Sequence, residues 1–271
     1  MSRGPAPRAA YRRLLAAYGP QGWWPTTRPG AARPSYEPRR ARGLSEAERV
    51  EICVGAILTQ NAAWTNAEKA LAGLRRVLPR PDWAGLAALP EGRLAGAVRS
   101  SGYFRQKARK LKVLAAAALA RGGGTRAWLG AGRVEERRAE LLGLWGVGPE
   151  TADSILLYAG GRPSFVIDAY TRRVGARLGW WRAPSYDEAR DWLVARLPRD
   201  RELYAEFHAL VVRHAKEHCR VRPDCGGCPL RRACAHARRG ADAGRAAAGP
   251  APRARRRAVR RRRKSRHHPR S

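Results

Sequence analysis

Acidic side chains are scarce in this chain. Its 22 Asp and Glu stand against 55 Lys and Arg, a formal charge of +33, which argues against a basic partner and for a polyanion. No apolar run approaches the roughly 18 residues of a membrane span. No signal-peptide apolar core follows the basic start Met1-Ser2-Arg3-Gly4-Pro5, so the expected setting is cytoplasmic and nucleoid-associated, with no membrane partner. Strand alternation is missing apart from a short run over 164–167, and no internal repeat occurs; the expected fold class is all-α. What is present is apolar mass. A hydrophobic content of 44% excludes a wholly disordered chain, and 271 residues suit one large domain or two lobes.

The positive charge is uneven. Residues 238–271 hold 14 Lys/Arg and one acid, Asp242, or +13, which leaves +20 for residues 1–237. With Ala, Gly and Pro between its arginines, the tail cannot bury enough surface to offset its ordering entropy. It reads either as a disordered arm that collects phosphates or as a plain solvated tail.

Along the core, residues 19–43 are rich in Pro, Gly and Arg and read as an extended segment, interrupted by Trp23-Trp24. Ser45 and Glu48 have capping-box spacing ahead of the apolar run Val50 to Leu58, which predicts a largely buried helix ending near Thr59-Gln60-Asn61. Phe104, Ala108, Leu111, Ala115 and Ala118 form one stripe of an amphipathic helix, with Lys107 and Lys110 off it. Further helices are predicted over 134–144, about 150–159, 186–197 and 200–218.

Two segments carry chemistry. In Leu144-Trp145-Gly146-Val147-Gly148-Pro149-Glu150-Thr151-Ala152, paired glycines permit a tight turn, and the next helix adds its positive N-terminal end. Such a turn can hold a phosphate with backbone N–H groups alone; the plain alternative is an ordinary helix–helix turn. In Phe165-Val166-Ile167-Asp168-Ala169-Tyr170-Thr171-Arg172-Arg173, one carboxylate follows an apolar run. Asp168 is either an ordinary helix N-cap or a group at the mouth of a cleft, facing the sugar of a bound nucleotide.

Four of the five cysteines, Cys219, Cys225, Cys228 and Cys234, fall within sixteen residues, whereas Cys53 lies alone in an apolar stretch. The cluster points to metal ligation rather than disulfides. Zinc suits four thiolates, although the wide first gap departs from two short pairs.

The hairpin around Gly146, Val147 and Gly148, the Ile167-Asp168 step and the four late cysteines together resemble the endonuclease III branch of the helix-hairpin-helix DNA glycosylases, over about 44–236. The resemblance implies two helical lobes with a DNA cleft between them. It divides the chain into an N-terminal segment over 8–43, a barrel lobe over 44–159, a lobe with the catalytic Asp and the cysteines over 160–236, and a basic tail over 237–271. It implies a [4Fe–4S] cluster on the four cysteines, duplex DNA with damaged bases as the partner of a monomer, and DNA contacts from Gln60, the hairpin, Arg172, Arg220 and Arg222.

The sequence departs from the strand-cleaving relatives at one position. Their attacking Lys is replaced by Glu150, and a carboxylate cannot form the imine which that route needs. Asp168 alone then implies a monofunctional glycosylase that releases a free base. Trp23, Trp24 and Pro25 either anchor a lid or hold a flipped base between indole faces, which would favour cationic, alkylated purines. Together with Thr59-Gln60-Asn61-Ala62-Ala63-Trp64, Glu150 and Asp168, they resemble the 3-methyladenine glycosylase group. Ala205, Ala209, Val212 and Lys216 recur at helical spacing, so Lys216 is either a buried pocket residue or an exposed helix-end cation. An oxidised-pyrimidine glycosylase with strand-nicking activity and a non-catalytic iron–sulfur DNA-binding module are the rival readings.

Overall fold

The structure is a computed structural model that describes residues 4–38 and 43–239. From residue 240 onward the basic tail lies outside the described residues. Among the described residues no strand forms; the one β feature is an isolated bridge between Thr26 and Ser35.

The first lobe is built around a helix that is apolar on nearly every side. Ser45 caps α2 (Glu46–Leu58) through the expected box with Glu48, and every residue from Val50 to Leu58 is buried. Packed on α2 are α3 (Trp64–Val77), α6 (Phe104–Arg121), α7 (Gly124–Gly130) and α9 (Pro149–Ser154). The short α4 (Trp83–Ala88) and α5 (Glu91–Ala97) cover α6, and α8 (Val134–Leu142) leads into the hairpin. Helix α9 continues as a π turn, Ile155–Ala159, in which the Gly160 N–H reaches back five residues to the Ile155 carbonyl.

The second lobe joins α10 (Ala169–Leu178), α11 (Tyr186–Val194) and α12 (Arg201–Glu217) with α1 (Pro7–Tyr18), which packs on α12 despite its place at the start of the chain. The π turn touches both α2 and α12, so it lies at the junction of the lobes. Residues 164–167, the one strand-like run, are extended but unpaired and buried throughout. Phe165 packs edge-on against Tyr204 and Phe207. Its apolar character serves packing between helices rather than a sheet.

Two expectations for α6 and α11 need correction. Lys107 lies off the apolar stripe in sequence, yet it is 1% exposed, because its chain reaches across the helix to the ends of two neighbouring segments. Helix α11 stops at Val194, short of the predicted 197. The helices α3, α4 and α5 lack a sequence signal strong enough to predict them.

Candidate active site at the junction of the lobes

Asp168 caps α10: its Oδ1 accepts the Thr171 N–H at 2.6 Å. The segment leading to it is fixed from behind, since Ser164 Oγ donates to Asp153, the fully buried carboxylate that Arg138 holds at 2.9 Å, and the Ile167 N–H donates to Tyr186 Oη at 3.2 Å. The cap uses one oxygen. The other, Oδ2, faces His208 Nε2 on α12 at 3.5 Å. The carboxylate side chain is 13% exposed, so the N-cap bond leaves part of it accessible. Burial favours its neutral form, but the nearby His208 and the Thr171 N–H outweigh that and hold the carboxyl below its usual range.

Beside His208 stands a cluster of aromatic rings. His208 is 4% exposed, and its Nδ1 lies 2.7 Å from Tyr158 Oη of the π turn. Trp23 meets the His208 ring edge-on at 5.5 Å between centroids. Trp24 lies 5.2 Å from Tyr158 and 5.6 Å from Trp64. The tryptophans belong to a strap that spans both lobes. Gln21 N–H donates to Glu206 on α12 at 2.6 Å, while Thr26 Oγ1 donates to Glu48 and the Thr27 N–H and Oγ1 donate to Glu51 on α2, at 2.9, 2.8 and 2.7 Å. Arg75 neutralises Glu51 at 2.6 Å. Trp23 and Trp24 are only half-buried, whereas Pro25 is buried.

Glu150, in the first turn of α9, is exposed. Desolvation there, with the Asp168 charge, pushes its carboxyl up, against the opposing effects of His208 and the exposed Arg172. Asp168, Glu150, His208 and Arg172 therefore share one electrostatic neighbourhood.

The hairpin has the geometry that its glycines suggest. Gly146 takes φ +83°, a left-handed value, and a Cβ there would lie 2.5 Å from Lys110 Cγ. Gly148 precedes α9 at φ −92° with open space where a Cβ would go. The first N–H groups of α9 lack intrahelical partners, as at any helix start. Gln60 is drawn inward: its Nε2 donates to the Gly146 carbonyl at 3.0 Å and to Thr151 Oγ1 at 2.9 Å, while Lys110 Nζ donates to its Oε1 at 2.6 Å. The amide thus staples the end of α2 to the hairpin. Lys107 secures the same region from below, donating to the Leu58 and Ser101 carbonyls at 2.8 and 2.7 Å. Burial, with Lys110 nearby, pulls its pKa down to about 8.

Cys219, Cys225, Cys228 and Cys234 line one pocket, together with Arg177 and His214. Arg177 Nη1 lies 3.3 Å from Cys219 Sγ, and His214 Nε2 lies 3.8 Å from Cys228 Sγ. Among the described residues no three His, Cys, Asp or Glu side chains converge on a single ion position. Arg220 and Arg222 are exposed on the adjoining loop.

Lys216 does not enter the aromatic cluster. Its chain is exposed, with Nζ 5.8 Å from the centroid of the Tyr170 ring, because the packed stripe of α12 ends at Ala215. Sequence reading passed over His208 and Tyr158. The signal was faint: a polar ring one residue beyond Phe207 on an otherwise apolar helix face, and a tyrosine inside a fully buried stretch.

The kinship of the chain follows from comparison with known proteins. The model of the HhH-GPD superfamily base excision DNA repair proteins matches residues 54–199. An inferred DNA repair glycosylase of Methanocaldococcus jannaschii is 38% identical over 226 residues, which is 83% of this chain and 93% of that protein. Among solved structures, a trapped endonuclease III–DNA covalent intermediate superposes with a TM-score of 0.65 at 22% identity, over 86% of this chain and 96% of its own. The H. pylori 3-methyladenine DNA glycosylase bound to 1,N6-ethenoadenine superposes with a TM-score of 0.62 at 24% identity, over 79% and 98%. No helix among the described residues is long and apolar enough to cross a membrane. A family match over more than half of the chain, joined by a relative aligned along most of it, is decisive: the chain belongs to the HhH-GPD superfamily of base excision DNA repair proteins and is a DNA glycosylase.

Proposed function

We propose that this chain is a monofunctional glycosylase that removes alkylated bases from duplex DNA, with Asp168 as its catalytic carboxylate. The observation that carries the reading is the contact of a partly exposed Asp168 with His208 beside half-buried Trp23 and Trp24, which pack with Tyr158 and His208; the resemblance adds that Glu150 stands where the strand-cleaving relatives have their amine. An everted base lodged against the indole rings would bring its sugar toward Asp168. The carboxylate then stabilises positive charge developing on the sugar and orients water for attack, and the base departs. Alkylated purines suit such a cluster because their ring carries positive charge. Gly146, Val147 and Gly148 would hold backbone phosphate, and Arg172, Arg220 and Arg222 would add contacts along the same side.

The lobes are taken as 44–159, and 160–236 with the 8–43 segment; the protein acts as a monomer. Four sulfurs line one pocket of the second lobe, which supports the [4Fe–4S] cluster that the family resemblance implies. Cys219, Cys225, Cys228 and Cys234 would hold the group, which when bound supplies a rigid anchor for the arginine-bearing loop.

The test is release of base from methylated duplex DNA by the purified protein, alongside borohydride trapping on the same duplex. The reading requires free alkylated purine and no covalent adduct. A trapped adduct would establish the lyase route instead, and duplex binding without base release from any lesion would leave a docking module.

A further inference from the structure

His208 is a buried polar group whose one near-neighbour on the outer nitrogen is the Asp168 carboxylate. At 4% exposure it is enclosed, yet its Nε2 has no hydrogen-bond partner of good geometry; it points at Asp168 Oδ2 from 3.5 Å. A carboxylate can only accept, so a favourable contact requires that Nε2 carry a proton. Its other nitrogen decides whether it can. Tyr158 Oη lies 2.7 Å from Nδ1 and 3.3 Å from the Ala205 carbonyl. Either the phenol donates to Nδ1, leaving the neutral ring protonated at Nε2, or it donates to Ala205 and accepts from Nδ1–H, which leaves Nε2 of the neutral ring bare. The contact with Asp168 selects the first arrangement, because only there does a proton lie between Nε2 and the carboxylate. Tyr158 is fully enclosed, and burial beside Asp168 and Glu206 keeps its phenol protonated, so it remains a donor throughout.

We propose that His208, oriented by Tyr158, is the positioning residue of the catalytic carboxylate: it turns Asp168 Oδ2 toward the reacting sugar while the N-cap bond to Thr171 holds Oδ1. The inference rests on the reading of Asp168 as the catalytic group. Two fixed oxygens leave the carboxylate one orientation. Trp23, edge-on to the same imidazole, ties that orientation to the presence of a base, because a base stacked on the indole packs against the group that aims the acid. His208 touches Asp168 and no substrate atom, so its effect appears in the ionisation and turnover of Asp168.

The groups facing this pair are Glu150 on α9, Tyr158 in the π turn, Arg172 on α10 and Glu206 on α12. His208 and the Thr171 N–H both hold the Asp168 carboxyl down, and loss of His208 removes its share and lets the pKa rise.

The experiment compares wild type, His208→Ala, His208→Gln and Tyr158→Phe in single-turnover release of alkylated base from pH 4 to 9, with duplex affinity and thermal midpoint measured on each. His208→Ala is expected to lose about tenfold or more in the rate of release, with duplex affinity kept and the acidic limb of the profile moved to higher pH. His208→Gln, whose amide can still donate toward Asp168, is expected to recover part of both. Tyr158→Phe should show a smaller loss in the same direction. A purely packing role would lower the midpoint of His208→Ala while leaving its acidic limb in place, and that result overturns the proposal, as does a glutamine variant no better than alanine. If wild type releases no base, the reading of the active site fails instead; the two failures are therefore distinct. Should the alanine variant not fold, His208→Gln against Tyr158→Phe carries the same comparison.

Discussion

Asp168 Oδ2 and His208 Nε2 stand 3.5 Å apart, one at the start of α10 and the other in the middle of α12, and the contact exists only because the extended segment before α10 runs unpaired between buried helices. The structural role of the carboxylate as a helix cap and the chemical role proposed for it separate by substitution.

Asp168→Asn retains an oxygen for the Thr171 N–H, and Asn caps helices about as well as Asp. Unfolding free energy at neutral pH should therefore change little, while base release falls by about 10²-fold or more and lesion-duplex affinity persists. The pH dependence has a definite sign. The folded-state pKa of Asp168 is lowered, so its contribution to stability is complete above the unfolded value of about 3.9 and disappears as pH falls through the folded value. Acid titrations of the two proteins should diverge only on that acidic side.

Gly146 and Gly148 answer different questions. Gly146→Ala meets both a left-handed φ and the Lys110 chain; it should cost about 1–2 kcal/mol and loosen the Gln60 staple. Gly148→Ala has room for its methyl and should leave the thermal midpoint nearly unchanged, yet weaken duplex affinity, because the methyl would project where a phosphate approaches the helix start. Equal affinity of Gly148→Ala and wild type would count against phosphate binding at the hairpin.

Trp23→Ala removes an indole face from the aromatic cluster. Stacking is worth about 1–3 kcal/mol per base, so kcat/KM for an alkylated purine should fall by about 10- to 100-fold. Trp23→Phe should retain much of it. An uncharged lesion of similar shape should suffer less from either change, since the charge-dependent part of the attraction is absent; equal losses would refute a preference for cationic bases.

Lys107→Met keeps the length of the chain and deletes the ammonium that serves the Leu58 and Ser101 carbonyls. Leaving two buried acceptors unpaired should cost about 2–4 kcal/mol, read as a lower thermal midpoint. The pKa of about 8 lies below that of a free lysine, near 10.4, so between these values the unfolded chain binds the proton more tightly. The residue's contribution to stability thus rises as pH climbs through that window, and the gap between wild type and variant should widen there in chemical denaturation.

Much of the frame was legible from residues. The box of Ser45 and Glu48, the hairpin glycines and the cysteine run each act over a few positions, where local chemistry dominates. The candidate site was not legible in the same way. His208 and Tyr158 acquire their meaning from residues far along the chain, and an isolated buried histidine or tyrosine carries no periodic signal. Lys107 and Lys216 show the converse. A four-carbon stem lets a lysine at a seemingly solvated position reach inward, and a lysine at the end of a packed stripe turn outward. Helical spacing alone does not separate those outcomes.

The π turn at Ile155–Ala159 carries a final implication. A turn of this kind is an ordinary helix with a single residue inserted, and each helical residue advances the side-chain direction by about 100°. Excising one position from this stretch would restore regular winding and swing the phenol of Tyr158 away from the imidazole it meets. The bearing of the whole aromatic cluster on the acid thus depends on one extra link in the backbone, a discontinuity that a gradual series of side-chain exchanges cannot reproduce.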